Sequence, residues 1–315
     1  MQEYAEDMYK AYLHGIKNLL DQGILKKVAS GKTKHLYIEQ GNIDRDNSSG
    51  NAIMYCTDDI SAGNGAKKDV MPGKAESVIQ TTYNIFSFLE SKGIPTSLVS
   101  ADLKANPNAL VVRNTKMIPL EVVYRNLAWG SYLKRNLTAN KGDKIDVFEL
   151  FLKTNNNNWN GVIVREDDPY IIVYPDEWSI VDPTRPSIQY FEMLPLLSDA
   201  KLQSIESMTR HINQALKQEF DKFGIDLIDF KVEYGYDPNT GAIILSDEFS
   251  PDNMRLFHKA SGEQKDKDAF RDGSKSLENL AKDYEAIAAI TAKFGKNIKK
   301  HQFNSNLMWK YKKRS

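Results

Sequence analysis

The sequence predicts an α+β protein in two lobes, with helices and antiparallel strands in separate runs. Three observations carry this. Apolar residues recur at helical spacing near the N terminus and in residues 76–92, 198–223 and 276–294. Short β-like runs punctuated by Gly, Asn, Asp and Ser lie between them. In mid-chain, Met117-Ile118-Pro119 separates two such runs. Proline cannot donate to a sheet and restricts the residue before it, so a hinge is expected here, between lobes of residues 1–117 and 118–315.

Tyr4, Met8, Tyr12, Ile16 and Leu19 share one face of an amphipathic helix that Gly23 can cap. That face could pack within the chain or across a homodimer interface. Residues 25–29, 33–38 and 52–56 read as strands, with turns at Ser30-Gly31 and across 41–51. Residues 76–92 read as a helix with Val78, Ile79, Tyr83, Phe86 and Leu89 inward, ending at Gly93. Residues 110–114 and 120–126 are strands flanking the hinge. Ser198 can cap a long helix presenting Leu202, Ile205, Ile212, Leu216 and Phe223. A hairpin follows, with strands 225–236 and 242–248 around the turn 237–241, and Leu277, Leu280, Tyr284 and Ile287 mark the last helix. The Asn-rich stretch 155–158 reads as a loop tip, and the basic tail beyond Lys293 reads as a solvated tail or as a weak contact for a partner or nucleic acid.

At 315 residues the chain is long enough to build its core without staples. Its 42 basic and 42 acidic side chains cancel, which removes the usual footprint of a dedicated nucleic-acid binder. One cysteine, Cys56, excludes an internal disulfide framework and suits the reducing cytoplasm. No apolar stretch approaches the length of a membrane span, and the first residues lack a signal-peptide pattern.

Gly31-Lys32-Thr33 is not a P-loop: Lys26 stands where its first glycine belongs, and strand-like alternation follows. Gly63-Asn64-Gly65 lacks the third glycine of a dinucleotide fingerprint, and the five histidines have no zinc-ligand spacing. A strand–Gly31–strand flap with Lys32 and Lys34 could cover phosphates, although a plain hairpin with two exposed lysines leaves the same pattern. The hairpin is more informative. Period two puts Leu227, Asp229, Lys231 and Glu233 on one face and Ile228, Phe230, Val232 and Tyr234 on the other. Asp247, Glu248 and Asp252 follow on the partner side. Carboxylates gathered in this way repel unless a cation sits among them, and hard oxygen donors suit Mg²⁺ beside a nucleotide. Arg125, Gly130, Ser131, Lys134 and Arg135 form an anion-binding candidate or an exposed basic turn.

Together these segments resemble the phosphoribosylaminoimidazole-succinocarboxamide synthase (SAICAR synthetase) family. The resemblance rests on Gly31-Lys32-Thr33-Lys34, Asp59-Ile60-Ser61-Ala62-Gly63, the run from Pro119 to Asn126, Gly130-Ser131 and Phe151-Leu152-Lys153. It continues through Asp229-Phe230-Lys231-Val232-Glu233, the run from Asp247 to Asp252, Arg255 and Lys265-Asp266-Lys267-Asp268. It implies a kinase-like N-terminal lobe and a larger, ATP-grasp-like lobe around a nucleotide cleft. It also implies ATP-dependent ligation of L-aspartate to carboxyaminoimidazole ribotide (CAIR) through an acyl phosphate, with Mg²⁺ as cofactor. By the same resemblance, Lys32, Lys34, Met117 and Lys153 would serve ATP, and Glu233 and Asp247 the metal. Arg125, Ser131 and Arg255 would hold the ribotide phosphate. Lys231 and Asp59 would act at the reacting groups, with Ser61 in the same loop. The chain departs from the family pattern at Asn64, Trp129 and His258 and in the late arrival of Asp168-Pro169. Two rivals, a kinase-like phosphotransferase and an inactive nucleotide-binding protein, fit less well. The first lacks its His-Arg-Asp and Asp-Phe-Gly motifs, and the second predicts loss of Lys34, Glu233 or Asp247.

Overall fold

A computed structural model describes residues 16–39, 50–62, 67–152, 163–165 and 197–296. Most of the predicted N-terminal helix, Asn64, Lys153, the Asn-rich stretch, Asp168-Pro169 and the basic tail lie outside them. The described chain is α+β, and every pairing between its strands is antiparallel.

The helix α1 (Ile16–Asp21) ends at Gly23, whose φ of 68° is the left-handed conformation that glycine adopts without strain. β1 (Leu25–Ser30), β2 (Lys34–Glu39), β3 (Asn51–Cys56), β6 (Leu98–Ser100) and β7 (Ala109–Arg113) form a five-stranded sheet in the order β1-β2-β3-β7-β6. Alternation on β3 and β7 fills two cores. Ala52, Met54, Cys56, Leu110 and Val112 face the main one, while Ile53, Ala109 and Val111 meet Leu19 and Leu25 in a smaller one. Both faces being covered is why these strands read as unbroken apolar runs.

Between these strands lie β4 (Asp59–Ala62) and β5 (Lys67–Val70), a separate two-stranded ribbon, and the helix α2 (Lys74–Ser91). The Asp59–Ser61 stretch is therefore a strand paired with Lys68–Val70, a correction to the expected loop. Asp58 caps α2 from outside it, accepting from the N–H groups of Gly73 (3.2 Å) and Ala75 (2.9 Å).

The second sheet is built around one long strand, β12 (Ile225–Tyr236). Its N-terminal half lies between β9 (Leu120–Leu127) and β14 (Met254–His258), and its C-terminal half between β8 (Lys116–Met117) and β13 (Ile243–Ser246). β10 (Lys144–Leu152) and β11 (Ile163–Arg165) extend the sheet beyond β9, and α3 (Ser131–Arg135) links β9 to β10. A bulge at Ile228 corrects the simple alternation. Leu227 pairs with Leu256 and enters the main core, whereas Asp229 pairs with Arg255 on the opposite face.

The helix α4 (Asp199–Lys222) covers the apolar face of β12. Its Thr209 hydroxyl meets the buried Tyr234 hydroxyl at 2.8 Å. Its Asn213 exchanges two amide hydrogen bonds with Asn126 of β9, at 2.8 and 3.0 Å. Ser198 takes the N-cap position of α4 without a side-chain cap bond. By contrast, Ser276 accepts from the Asn279 N–H (3.3 Å) ahead of α6 (Leu277–Thr291), which follows the short α5 (Asp268–Arg271). α6 packs on α2, with the Asn84 amide donating to Ala288 O (3.0 Å) and Thr291 Oγ1 (3.1 Å). The main core runs from β3 and α2 through β12 and α4 to α6.

Two features give testable consequences. A Cβ on Gly235 would lie 2.7 Å from Thr115 Cβ, so β12 and the hinge segment touch backbone to side chain. Gly235→Ala should cost about 1–3 kcal/mol, read from the urea midpoint. The second concerns Glu263, which Lys265 and Lys275 clasp at 2.8 Å each while both also bind Asp283 of α6. Burial alone would raise the Glu263 pKa, but the two lysines outweigh it and hold the carboxyl at about 2. A depressed acid stabilises the fold above its ordinary value and loses that contribution as pH falls through its folded one. The melting-temperature deficit of Glu263→Gln should therefore be full above pH 4.5 and vanish toward pH 2.

Candidate active site

The polar face of the second sheet carries a row of buried charges across four strands. Asp229 pairs in register with Arg125 on one side and Arg255 on the other. Its Oδ2 accepts from Arg125 Nη1 (2.7 Å) and Arg255 Nη1 (2.6 Å). Arg125 continues the row through Nε to Glu149 of β10 (2.5 Å), which Arg135 meets from α3. Arg255 continues it through Nε to Asp268, which also holds Arg271. Arg125 is 3% exposed, Asp229 4% and Glu149 0%. This excludes the exposed-turn reading of Arg125. Burial pushes the Asp229 pKa up against the pull of both arginines, and the Arg255 pKa rises because Asp229 and Asp268 outweigh its own burial.

The row ends beside a turn built for close approach. Gly130 has φ 58°, and a Cβ there would stand 2.7 Å from Arg255 Nη2. The next residue, Ser131, accepts from Arg125 Nη2 at 3.2 Å. Arg125, Ser131 and Arg255 therefore come together as the sequence suggests.

Further along the same face, Lys231 binds Glu121 (3.0 Å) and Glu233 (3.1 Å). Burial would lower the Lys231 pKa, but the carboxylates of Glu233, Glu121 and Asp247 carry it well above its ordinary value. Glu233 pairs in register with Ser246, and Asp247 follows with φ 66°. Asp247 is the one non-glycine residue with positive φ among the described residues, a conformation that costs energy and recurs at functional sites. Lys34, the first residue of β2, reaches across from the other sheet to pair with Asp247 and lies 3.7 Å from Glu248. Asp247, Glu248 and Glu233 together overcome its burial and hold its pKa well above normal.

The acidic turn is fixed from below. Thr82 Oγ1 of α2 accepts from the Phe249 N–H (3.1 Å), and Asn253 Nδ2 donates to Glu248 O (2.7 Å). Lys74, only 1% exposed, pairs with Asp252 (2.8 Å), which also accepts from the Tyr284 hydroxyl (2.7 Å). Burial works against the charged Asp252, yet Lys74 and Lys267 hold its pKa well below the carboxylate range. Cys56 lies here too, with Sγ 3.8 Å from Glu248, and burial drives its thiol pKa far up.

The remaining candidates are more dispersed. Lys32 is exposed in the Gly31 turn, whose N–H bonds Lys34 O (2.8 Å). Met117 is 40% exposed on β8, beside Gly235 of β12. Asp59 accepts from Thr57 (2.6 Å), and Ser61 is buried on β4. Among the described residues no hydrogen bond or ion pair joins either of them to Lys231. Lys153 lies outside the described residues. Sequence reasoning missed Glu149, Lys74 and the structural part of Asp252. Glu149 left a faint signal, an acid inside the apolar run 147–152, whereas nothing near Lys74 marks it as buried.

Comparisons with known proteins bear on this geometry. A family model described as SAICAR synthetase matches residues 27–288. A phosphoribosylaminoimidazole-succinocarboxamide synthase from Fusobacterium nucleatum is 34% identical over 271 residues, covering 85% of this chain and 98% of the relative. Among solved structures, the same-named protein from Ehrlichia chaffeensis has a TM-score of 0.67 at 26% identity, covering 86% of this chain and all of that one. A SAICAR synthetase in complex with ADP has a TM-score of 0.65 at 30% identity, covering 82% of this chain and 96% of that one.

The charge row yields a direct test. Arg125→Leu removes one guanidinium from each of two buried carboxylates, Asp229 and Glu149, and should cost about 3–5 kcal/mol in a urea titration. The double variant Arg125→Leu with Glu149→Leu should recover part of that loss.

Proposed function

The chain belongs to the SAICAR synthetase family, and on that premise we propose that it is an ATP-dependent ligase of de novo purine biosynthesis. It joins L-aspartate to the carboxylate of CAIR and releases SAICAR, ADP and phosphate. The observation that carries this reading is the division of one sheet face into two chemistries. Arginines and a serine gather at the Gly130 end, and lysines with carboxylates gather at the Asp247 end.

A carboxylate is a poor acylating agent, so its oxygen first attacks the γ-phosphorus of ATP and ADP departs. The aspartate nitrogen then forms the C–N bond, the C–O bond to phosphate breaks, and the amine gives up a proton. Lys34, already between Asp247 and Glu248, supplies a fixed cation to the transferring phosphoryl group, with Lys32 on the turn above it. Met117 marks the strip against which the adenine lies, and the family resemblance assigns Lys153, outside the described residues, to ATP as well.

Glu233 and Asp247 would hold Mg²⁺. Their donors are hard oxygens. That suits an ion usually held by one or two carboxylates and substrate phosphates. Bound there, Mg²⁺ would offset charge on the phosphoryl oxygens.

Arg125, Ser131 and Arg255 take the ribotide phosphate, with Asp229 Oδ2 holding both guanidiniums. Lys231 faces the carboxylate that becomes the amide, and Asp59 and Ser61 serve the aspartate side from the β4–β5 ribbon. On this reading the division into lobes at residues 1–117 and 118–315 would set a nucleotide cleft between them. Among the described residues no helix is long and apolar enough to cross a membrane. With its single buried thiol, the chain is assigned to the cytoplasm.

Omitting each substrate in turn tests the reaction. ADP coupled to SAICAR should appear only when Mg-ATP, CAIR and L-aspartate are all present, and Lys34→Met should lower kcat/KM about a hundredfold or more. Nucleotide binding without that product would point to another acceptor, and no ATP binding would remove the reading.

A further inference from the structure

Arg125 and Arg255 each commit Nε and Nη1 to carboxylates. Nη2 is what each has left. That of Arg125 reaches Ser131 Oγ at 3.2 Å, and that of Arg255 is the nearest atom, at 2.7 Å, to a Cβ built on Gly130. Both remaining donors therefore converge on the Gly130–Ser131 turn. The spacing between that turn and β14 fixes how well two guanidiniums and a hydroxyl can grip one anion.

Polar contacts alone do not set this spacing, because Gly130 is free to adopt many backbone angles. The neighbouring residue supplies the constraint. The Trp129 ring meets Phe257 edge to face, with centroids 4.9 Å apart and planes at 63°. Phe257 lies two residues beyond Arg255 on β14 and so shares its face. The Trp129 ring also carries the Lys141 ammonium, 4.0 Å from its centroid. The loop bearing Lys141 is tied back to the turn by Gly142 N–H to Ala128 O (3.0 Å) and Ala128 N–H to Asp143 O (2.8 Å). Aromatic pairs of this geometry add attraction beyond the area they bury.

We propose that Trp129 is a positioning residue: held by Phe257 and Lys141, it fixes the Gly130–Ser131 turn against Arg255 and so sets the affinity for the phosphate monoester of the acceptor substrate. This rests on the reading of Arg125, Ser131 and Arg255 as the ribotide phosphate site.

The test compares Trp129→Ala, Trp129→Phe and Phe257→Leu with the unsubstituted chain, in steady-state kinetics and in calorimetric binding of ribose 5-phosphate. Trp129→Ala should raise the KM for CAIR and weaken ribose 5-phosphate about tenfold, with kcat and the KM for ATP within twofold. Trp129→Phe should restore most of the loss, and Phe257→Leu should reproduce part of it even if Trp129→Ala folds poorly. Unchanged ribose 5-phosphate binding in Trp129→Ala would overturn the brace. So would equal losses for CAIR and ATP, which mark a merely structural role. Ser131→Ala and Arg255→Lys separate the two levels: if neither changes the KM for CAIR, the phosphate site itself is misassigned and the brace falls with it.

Discussion

Asp229 takes one guanidinium from each neighbouring strand, and the geometry of the polar sheet face follows from that sharing. A buried carboxylate is tolerable only when it is paired and hydrogen-bonded, and a buried arginine has the same requirement. Because Arg125 and Arg255 both answer to one oxygen of Asp229, β9, β12 and β14 cannot slide against one another without exposing a charge to an apolar interior. Glu149 and Asp268 extend the same restraint to β10 and α5. The guanidiniums that suit phosphate recognition are thus held by the forces that fix strand register.

The acidic end follows a different logic. Glu233, Asp247 and Glu248 approach one another around Lys34, and Lys231 answers Glu233 and Glu121. Here the cations come from two different sheets, so this acidic end depends on the sheets staying in contact. Lys74 serves that contact: from the first turn of α2 it anchors Asp252, in the segment that follows Asp247 and Glu248. The shared apolar core beneath gives these long-range ion pairs a fixed base.

Much of this was legible in the sequence where a signal is local. Period two on residues 229–234 separated Lys231 and Glu233 from Phe230 and Val232, and the glycines at 23 and 93 marked helix ends that the structure bears out with positive φ. Failures came where one residue or a distant strand decides. The Ile228 bulge sends Leu227 to the core, which no pattern of alternation announces. The ribbon at Asp59–Ser61 looked like a loop because its partner strand, Lys67–Val70, is short and polar. Glu149 and Lys74 went unrecognised because their partners lie on elements far away in the chain. Register between such elements is set by packing, not by composition.

Asp247 has an implication for how this protein can be improved. Its left-handed backbone is one that glycine adopts freely and an L-residue adopts under strain. Selection for heat resistance alone would therefore drift toward glycine at this position, gaining backbone ease while discarding the carboxylate that faces Lys34. Robustness and chemistry pull in opposite directions at one residue. A more durable variant has to find its gains elsewhere in the chain, with Asp247 held fixed during the search.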